Sequence, residues 1–451
     1  MSTFLAQEAL VFVDLETTGA NFMNDRIIEI GLVEVTREGV LEWSTLVDPG
    51  RPVPPFITAL TGVDTAMLAS APAFAQLASE LLERLRGRLF VAHNARFDYG
   101  FLRHEFKRNG IDFRATRLCT VKLSRALFPG HRRHNLDTLV ERFGMVTGDR
   151  HRALADARVL WDLWRHWHAL LPAETIAGAV DRIIGRPELP PQIDPALLDD
   201  LPEAHGAYAV FGEDGALLAA RRAVNLRQQV CAHFSPDRRE LPQVRAARRI
   251  EWREAAGELG ARLGELELSA ARRRPSGEPC SWRLIRRGDG GFLPALVFSG
   301  DTDFAHTEDL FGLYRSPREA ILALRKLAEA HGVDLQFDGA KVLPGKGAGP
   351  LQGARLIAAL ARYCIRPWPY PGPIALIERD DFGMREDAHV ILDWGYLGTA
   401  GDAATLRLLL EKAAARDDSE RPRFDAEIYR IVGKFLREGR LAVIDDFSGT
   451  P

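Results

Sequence analysis

Three short segments hold acidic residues at spacings that suit cation chemistry. Asp14-Leu15-Glu16-Thr17-Thr18-Gly19 closes the apolar run 9–15. In a strand, residues i and i+2 face the same way, so Asp14 and Glu16 project side by side. Adjacent carboxylates repel unless a cation lies between them, and hard oxygen donors favour Mg²⁺ or Mn²⁺. Alone, an Asp-x-Glu pair is more often a solvated strand end. Two further segments change that weighting. His93-Asn94-Ala95-Arg96-Phe97-Asp98 follows a buried strand and puts Asp98 in the first turn of a helix. His151-Arg152-Ala153-Leu154-Ala155-Asp156 opens another helix, with Asp156 on a close-packed alanine face where an acid is rarely buried without a partner. Four carboxylates at element ends would make a two-metal site, with cations roughly 3.5–4 Å apart holding the attacking water and the leaving oxygen of a phosphodiester. A histidine five residues before the last acid suits proton abstraction from that water.

Asp-x-Glu-Thr-Thr-Gly, His-Asn-Ala-x-Phe-Asp and His-x-x-x-x-Asp, in this order, resemble the three motifs of the DEDDh 3′→5′ exonucleases over residues 8–170. That group includes the proofreading epsilon subunit of DNA polymerase III. The resemblance implies a ribonuclease H-like fold and two Mg²⁺ or Mn²⁺ held by Asp14, Glu16, Asp98 and Asp156, with His151 as general base. It also implies that Thr17 brings its backbone near the terminal nucleotide, that Ile27 or its neighbours press on the terminal base, and that Asn94 supports the ligand segment. The expected activity is metal-dependent 3′→5′ hydrolysis of DNA ends to nucleoside monophosphates, in replication proofreading or repair, with replication or repair proteins as partners. Two alternatives stand beside it. One is an exoribonuclease trimming RNA 3′ ends. The other is a non-catalytic nucleic-acid-binding scaffold, against which the intact acidic set argues. His131-Arg132-Arg133-His134 offers either phosphate contacts or a solvated loop.

The elements that must position these residues follow from pattern. Strands are expected at 9–15, 27–35, 40–47 and 89–91, and helices at 74–85, 96–109, 135–143 and 153–171. Strands first and helices after predict an α+β or mixed α/β layer domain, which the resemblance makes an exonuclease domain over 1–171. Residues 172–200 hold five prolines, with another at Pro202, and are expected to be a linker with one short helix near 175–184. A hairpin pattern follows, 207–211 and 216–220 around a Glu213-Asp214-Gly215 turn. Gly206-Ala207-Tyr208, Asn225-Leu226-Arg227 and His233-Phe234 make 201–275 similar to the GIY-YIG domain of the UvrC-type excinucleases of DNA repair. The second motif departs from that family, reading Ala219-Ala220-Arg221-Arg222. Gln229 stands where an arginine is expected, and the metal-binding glutamate falls on Glu265, with Glu258 and Glu267 as alternatives. Without its second tyrosine and its arginine, such a module is expected not to cut DNA. Between Arg221 and Arg253 nine Arg face three acids, so phosphate binding remains open to it.

The region 281–451 is expected to be an α/β region with strands at 293–298, 374–378 and 389–392. Leu310-Phe311-Gly312-Leu313-Tyr314-Arg315-Ser316 resembles a segment of the same repair family, but the cysteine cluster that family carries next is missing from 345–353. Trp368-Pro369-Tyr370-Pro371 reads as a packed turn more than as a base-stacking surface. The fold class is thus mixed α/β in three parts.

Bulk properties agree. The 451 residues suit about two to four domains. With 59 basic and 62 acidic residues the charge is −3, and 46% hydrophobic content excludes wholesale disorder. Cys119, Cys231, Cys280 and Cys364 lie far apart, as inert thiols of a reducing cytoplasm would. No apolar run approaches the roughly 20 residues of a membrane span, and the start has no signal-peptide pattern.

Overall fold

The structure, a computed structural model, describes residues 9–145, 151–185, 187–238, 240–270, 278–286, 292–344, 350–414, 423–445 and 447. Two compact units divide the chain. The first takes the chain through Ala219, Ala223–Glu254 and Arg379–Glu386; the second takes Ala220–Arg222, Ala255–Glu378 and the remainder from Asp387.

In the first unit β1 (Leu10–Thr17), β2 (Ile27–Thr36) and β3 (Gly39–Leu46) form an antiparallel meander. After α1 (Pro55–Thr61), α2 (Thr65–Leu68) and α3 (Phe74–Leu85), β4 (Leu89–Ala92) joins β1 in parallel. Then α4 (Arg96–Arg108) leads to β5 (Arg117–Cys119), parallel to β4, giving the ribonuclease H-like order β3-β2-β1-β4-β5. The helices α5 (Thr120–Leu127), α6 (Leu136–Arg142), α7 (Ala153–Leu170) and α8 (Ala173–Ile184) follow.

β1 is apolar on both faces because helices cover both sides of the sheet. Val11, Val13 and Leu15 enter a core with Leu81, Phe101 and Phe106 of α3 and α4. Leu10 and Phe12 enter another with Leu160 and Trp164 of α7. Alternation then carries Asp14 and Glu16 to the α7 side, just past the apolar residues. The stretch expected to be a linker carries α8, whose Ile176, Ala179, Val180 and Ile184 form a helical stripe buried in that second core.

The first unit continues through α9 (Leu197–Asp200), β6 (Gly206–Phe211), β7 (Leu217–Ala223), α10 (Leu226–His233), α11 (Pro242–Arg245) and β8 (Arg249–Glu254). The strands form a sheet of order β7-β6-β8. The expected hairpin turn is present, with Asp214 and Gly215 at φ 57° and 75°. Residues Arg379–Glu386 complete this unit, and Met384 from among them is fully buried in the β1–α4 core.

The second unit begins with α12 (Glu258–Ser269), β9 (Cys280–Arg286), β10 (Phe292–Phe298), β11 (Leu310–Tyr314) and α13 (Pro317–Ala330). A ribbon of β12 (Leu335–Asp338) and β13 (Lys341–Pro344) and the helix α14 (Pro350–Leu360) follow. Next come β14 (Ile374–Arg379), β15 (Glu386–Leu392), β16 (Gly395–Ala400), α15 (Ala403–Ala414), α16 (Ala426–Glu438) and β17 (Ala442–Ile444). The sheets run β10-β9-β11 and β16-β15-β14-β17. Glu378 accepts the N–H groups of Leu259 and Gly260 at 2.8 Å each, and Asp387 accepts that of Ala256 at 2.7 Å. These acids hold the start of α12, and Leu259 and Leu263 pack with Ile374, Trp394 and Phe435. Thus α12, although it lies within residues 201–275, belongs to the second unit. Trp368 is packed in the same core. Part of the cysteine-free stretch, 345–349, lies outside the described residues. No helix among the described residues is long and apolar enough to cross a membrane.

Candidate active site

β1, β2, α4 and α7 converge where the apolar part of β1 ends. One carboxylate oxygen each from Asp14, Glu16 and Asp156 lies within 4.8 Å of the others. Asp14 and Glu16 are half-buried and Asp156 is buried. Asp98, 3% exposed in the first turn of α4, accepts hydrogen bonds from its own N–H and from that of Leu15, so its carboxyl lies against β1 at the residue between the two strand acids. Burial pushes it up to about 8, against the pull of those two hydrogen bonds. Asp14, Glu16 and Asp156 form an all-oxygen donor set that suits a hard divalent cation, and Asp98 lies against the same strand outside that group of three. His151 lies just before α7 in the left-handed region at φ 61°, a conformation rare outside glycine and asparagine.

Two residues that the sequence patterns did not single out put α7 in place. Glu29 pairs with Glu16 in the β1–β2 register and is 4% exposed. It accepts the Arg152 guanidinium at 2.8 and 3.0 Å and the Ala153 N–H at 3.3 Å, so it anchors and caps the start of α7. Gly31 pairs with Asp14, and a Cβ built on it would lie 2.2 Å from the Ala153 carbonyl carbon. Only a glycine lets the first turn of α7 come this close to β2, and that approach carries Asp156 to Asp14. A glycine inside a strand run marks a close backbone approach, but the sequence does not say which helix makes it.

The other singled-out residues fall as follows. Thr17 is buried beside a bulge in β1, its hydroxyl donating to the Gly19 carbonyl at 2.6 Å. Ile27 is 1% exposed and packed in the core with Leu15 and Phe22. Asn94 is left-handed at φ 67°, starting the turn into α4, where its carbonyl accepts the Phe97 N–H at 2.8 Å. His134 points inward, its Nδ1 2.8 Å from the Ser124 hydroxyl and its Nε2 2.9 Å from the His131 carbonyl, so it structures its loop. In the small sheet, Tyr208 is fully buried and its hydroxyl meets His233 Nδ1 at 3.1 Å. Cys119, Cys280 and Cys364 are free thiols.

A sheet of this order with acids clustered at the end of its central strand has the ribonuclease H-like fold. Residues 11–163 match the exonuclease family, and residues 373–447 match the excinuclease Cho C-terminal domain. The DNA polymerase III subunit epsilon of Treponema pallidum is 36% identical over 169 residues, covering 36% of this chain and 78% of that protein. The chain thus belongs to the exonuclease family through its first domain. A Mycobacterium tuberculosis protein with the provisional name bifunctional exonuclease/endonuclease is 33% identical over 351 residues, covering 73% of this chain. The chain spans about half, 53%, of that relative's length. Among solved structures, exonuclease X in complex with 5′ overhanging duplex DNA is 27% identical, covering 38% of this chain and 99% of that one, with a TM-score of 0.29.

Proposed function

We propose that the chain is a divalent-metal-dependent 3′→5′ exonuclease that hydrolyses DNA ends to nucleoside monophosphates, serving replication proofreading or repair. The observation that carries this is the meeting of Asp14, Glu16 and Asp156 within 4.8 Å, beside the buried Asp98. These four residues would hold two Mg²⁺ or Mn²⁺. When bound, the cations supply Lewis-acid stabilisation for phosphodiester hydrolysis. His151 takes the proton from the attacking water. The Thr17 backbone holds the terminal nucleotide, the segment around Ile27 limits the terminal base, and Asn94 fixes the turn that presents Asp98. Residues 201–275 act as a GIY-YIG-like module without cleavage chemistry, a reading supported by the buried, hydrogen-bonded Tyr208 and by Gln229. The T. pallidum relative bears the name of a DNA polymerase subunit, which supports DNA as substrate.

The test digests end-labelled DNA and RNA oligonucleotides side by side with Mn²⁺. Stepwise shortening of DNA from the 3′ end is expected. Asp14→Ala and Asp156→Ala are each expected to abolish it with an unchanged circular dichroism spectrum. Near-normal trimming by either variant would overturn the site assignment, and preferential loss of RNA would replace the substrate.

A further inference from the structure

We propose that a hollow in the first unit, next to the active site, binds a single unpaired nucleic-acid strand, with Phe382 as a stacking platform for one of its bases. This rests on the reading of the chain as a nuclease, and it adds a binding element that the exonuclease domain by itself does not contain. The hollow has a volume of about 780 Å³. Its walls are the 93–96 segment that leads to Asp98, one side of α4, the start of α5, the segments around 200–203 and 252–254, and the 379–386 tip. Seven lysine and arginine side chains line it against three carboxylates. Several of the cations are held by acids, as Arg103 is by Asp200 at 3.1 Å. Lys107 and Arg125 have no acidic partner among the described residues. The same excess shows in His104, whose proton affinity is pushed down to about 4, first by burial and then by Arg108, Lys107, Arg103 and Arg385.

The tip is built to hold an aromatic ring in this field. Asp380 accepts the N–H groups of Met384 at 2.7 Å and Arg385 at 3.2 Å, and pairs with Arg96 at 2.8 Å. Gly383 turns the chain at φ 68°, and Met384 is seated in the core. Phe382 is left 57% exposed on the rim, with the Arg96 guanidinium 5.7 Å from its ring centre. A large apolar ring left exposed on the rim of a hollow with an excess of cations matches a polyanion that also presents free aromatic faces. Single strands do so, whereas a duplex keeps its bases stacked and a polyacidic peptide has none.

The test is fluorescence anisotropy of a labelled oligothymidylate with the full chain in EDTA, so that no trimming occurs. Phe382→Ala is expected to weaken binding about tenfold, and Phe382→Trp to retain it. Lys107→Ala with Arg125→Ala is expected to weaken binding and to flatten its dependence on salt. Circular dichroism of each variant separates these effects from unfolding. Absence of binding by the parent protein, equal binding by Phe382→Ala and the parent, or equally tight binding of polyglutamate would overturn the inference. Each of those results leaves the exonuclease assay with Mn²⁺ free to succeed. Conversely, loss of binding in Phe382→Ala together with no trimming by the parent protein would sink the catalytic reading alone.

Discussion

Glu29 shows how much of the proposed metal site lies outside its ligands. It is no ligand itself, yet it fixes the helix that delivers Asp156. Partners that orient ligands typically change metal affinity or activity by about 10–100-fold. Glu29→Gln is therefore expected to weaken Mn²⁺ binding and trimming together by that order, and Glu29→Asp to recover part of both. Titration calorimetry with Mn²⁺ checks the first effect apart from catalysis. Gly31→Ala is expected to be worse, because the added methyl would meet the backbone of Ala153 and not a movable side chain. Overpacking of this kind costs about 1–3 kcal/mol, and here it would also part Asp156 from Asp14. A denaturation series and the trimming assay read the two consequences. The clustering of Asp14, Glu16 and Asp156 was legible because strand alternation and helix starts place acids by local rules. Glu29 and Gly31 were not, since their meaning depends on which helix crosses which strand.

The second unit offers a test at the scale of one element. Burial alone would raise Glu378, but the hydrogen bonds from His389 and from the Gly260 and Leu259 N–H groups outweigh it and hold its carboxyl below 4.5. A carboxyl lowered in the folded state contributes stability that is present above its unfolded value and is lost as pH falls through its folded one. The second unit is thus expected to weaken on acidification below about pH 4.5, and Glu378→Gln to flatten that slope while costing about 1–3 kcal/mol near neutrality. Guanidinium unfolding at both pH values decides this. Most elements of the first 171 residues were readable from periodicity, since long amphipathic helices and apolar strands announce themselves. The role of α8 was hidden by the prolines around it. The placement of α12 was hidden because its capping acids, Glu378 and Asp387, come more than a hundred residues later.

At the scale of the molecule, the proposed nuclease chemistry lies in the first unit alone. Purified Asp14→Ala protein with Mn²⁺ is expected to leave a covalently closed DNA circle intact, because Tyr208 is buried and Gln229 replaces a charge. Nicking of the circle would mean that the second module still cuts. The formal charge of −3 is an average over acids gathered at the end of β1 and cations gathered around the hollow. Near-neutrality is therefore no obstacle to a polyanionic substrate, and binding to it should weaken as salt rises. The seat of Met384 also has a bearing on how the molecule is made. Domains generally fold in the order in which they leave the ribosome. The apolar socket among Val13, Phe101 and their neighbours is filled by a residue from the last fifth of the chain. Nascent chains would carry this gap open for most of their synthesis, so the part made first is among the last to be finished.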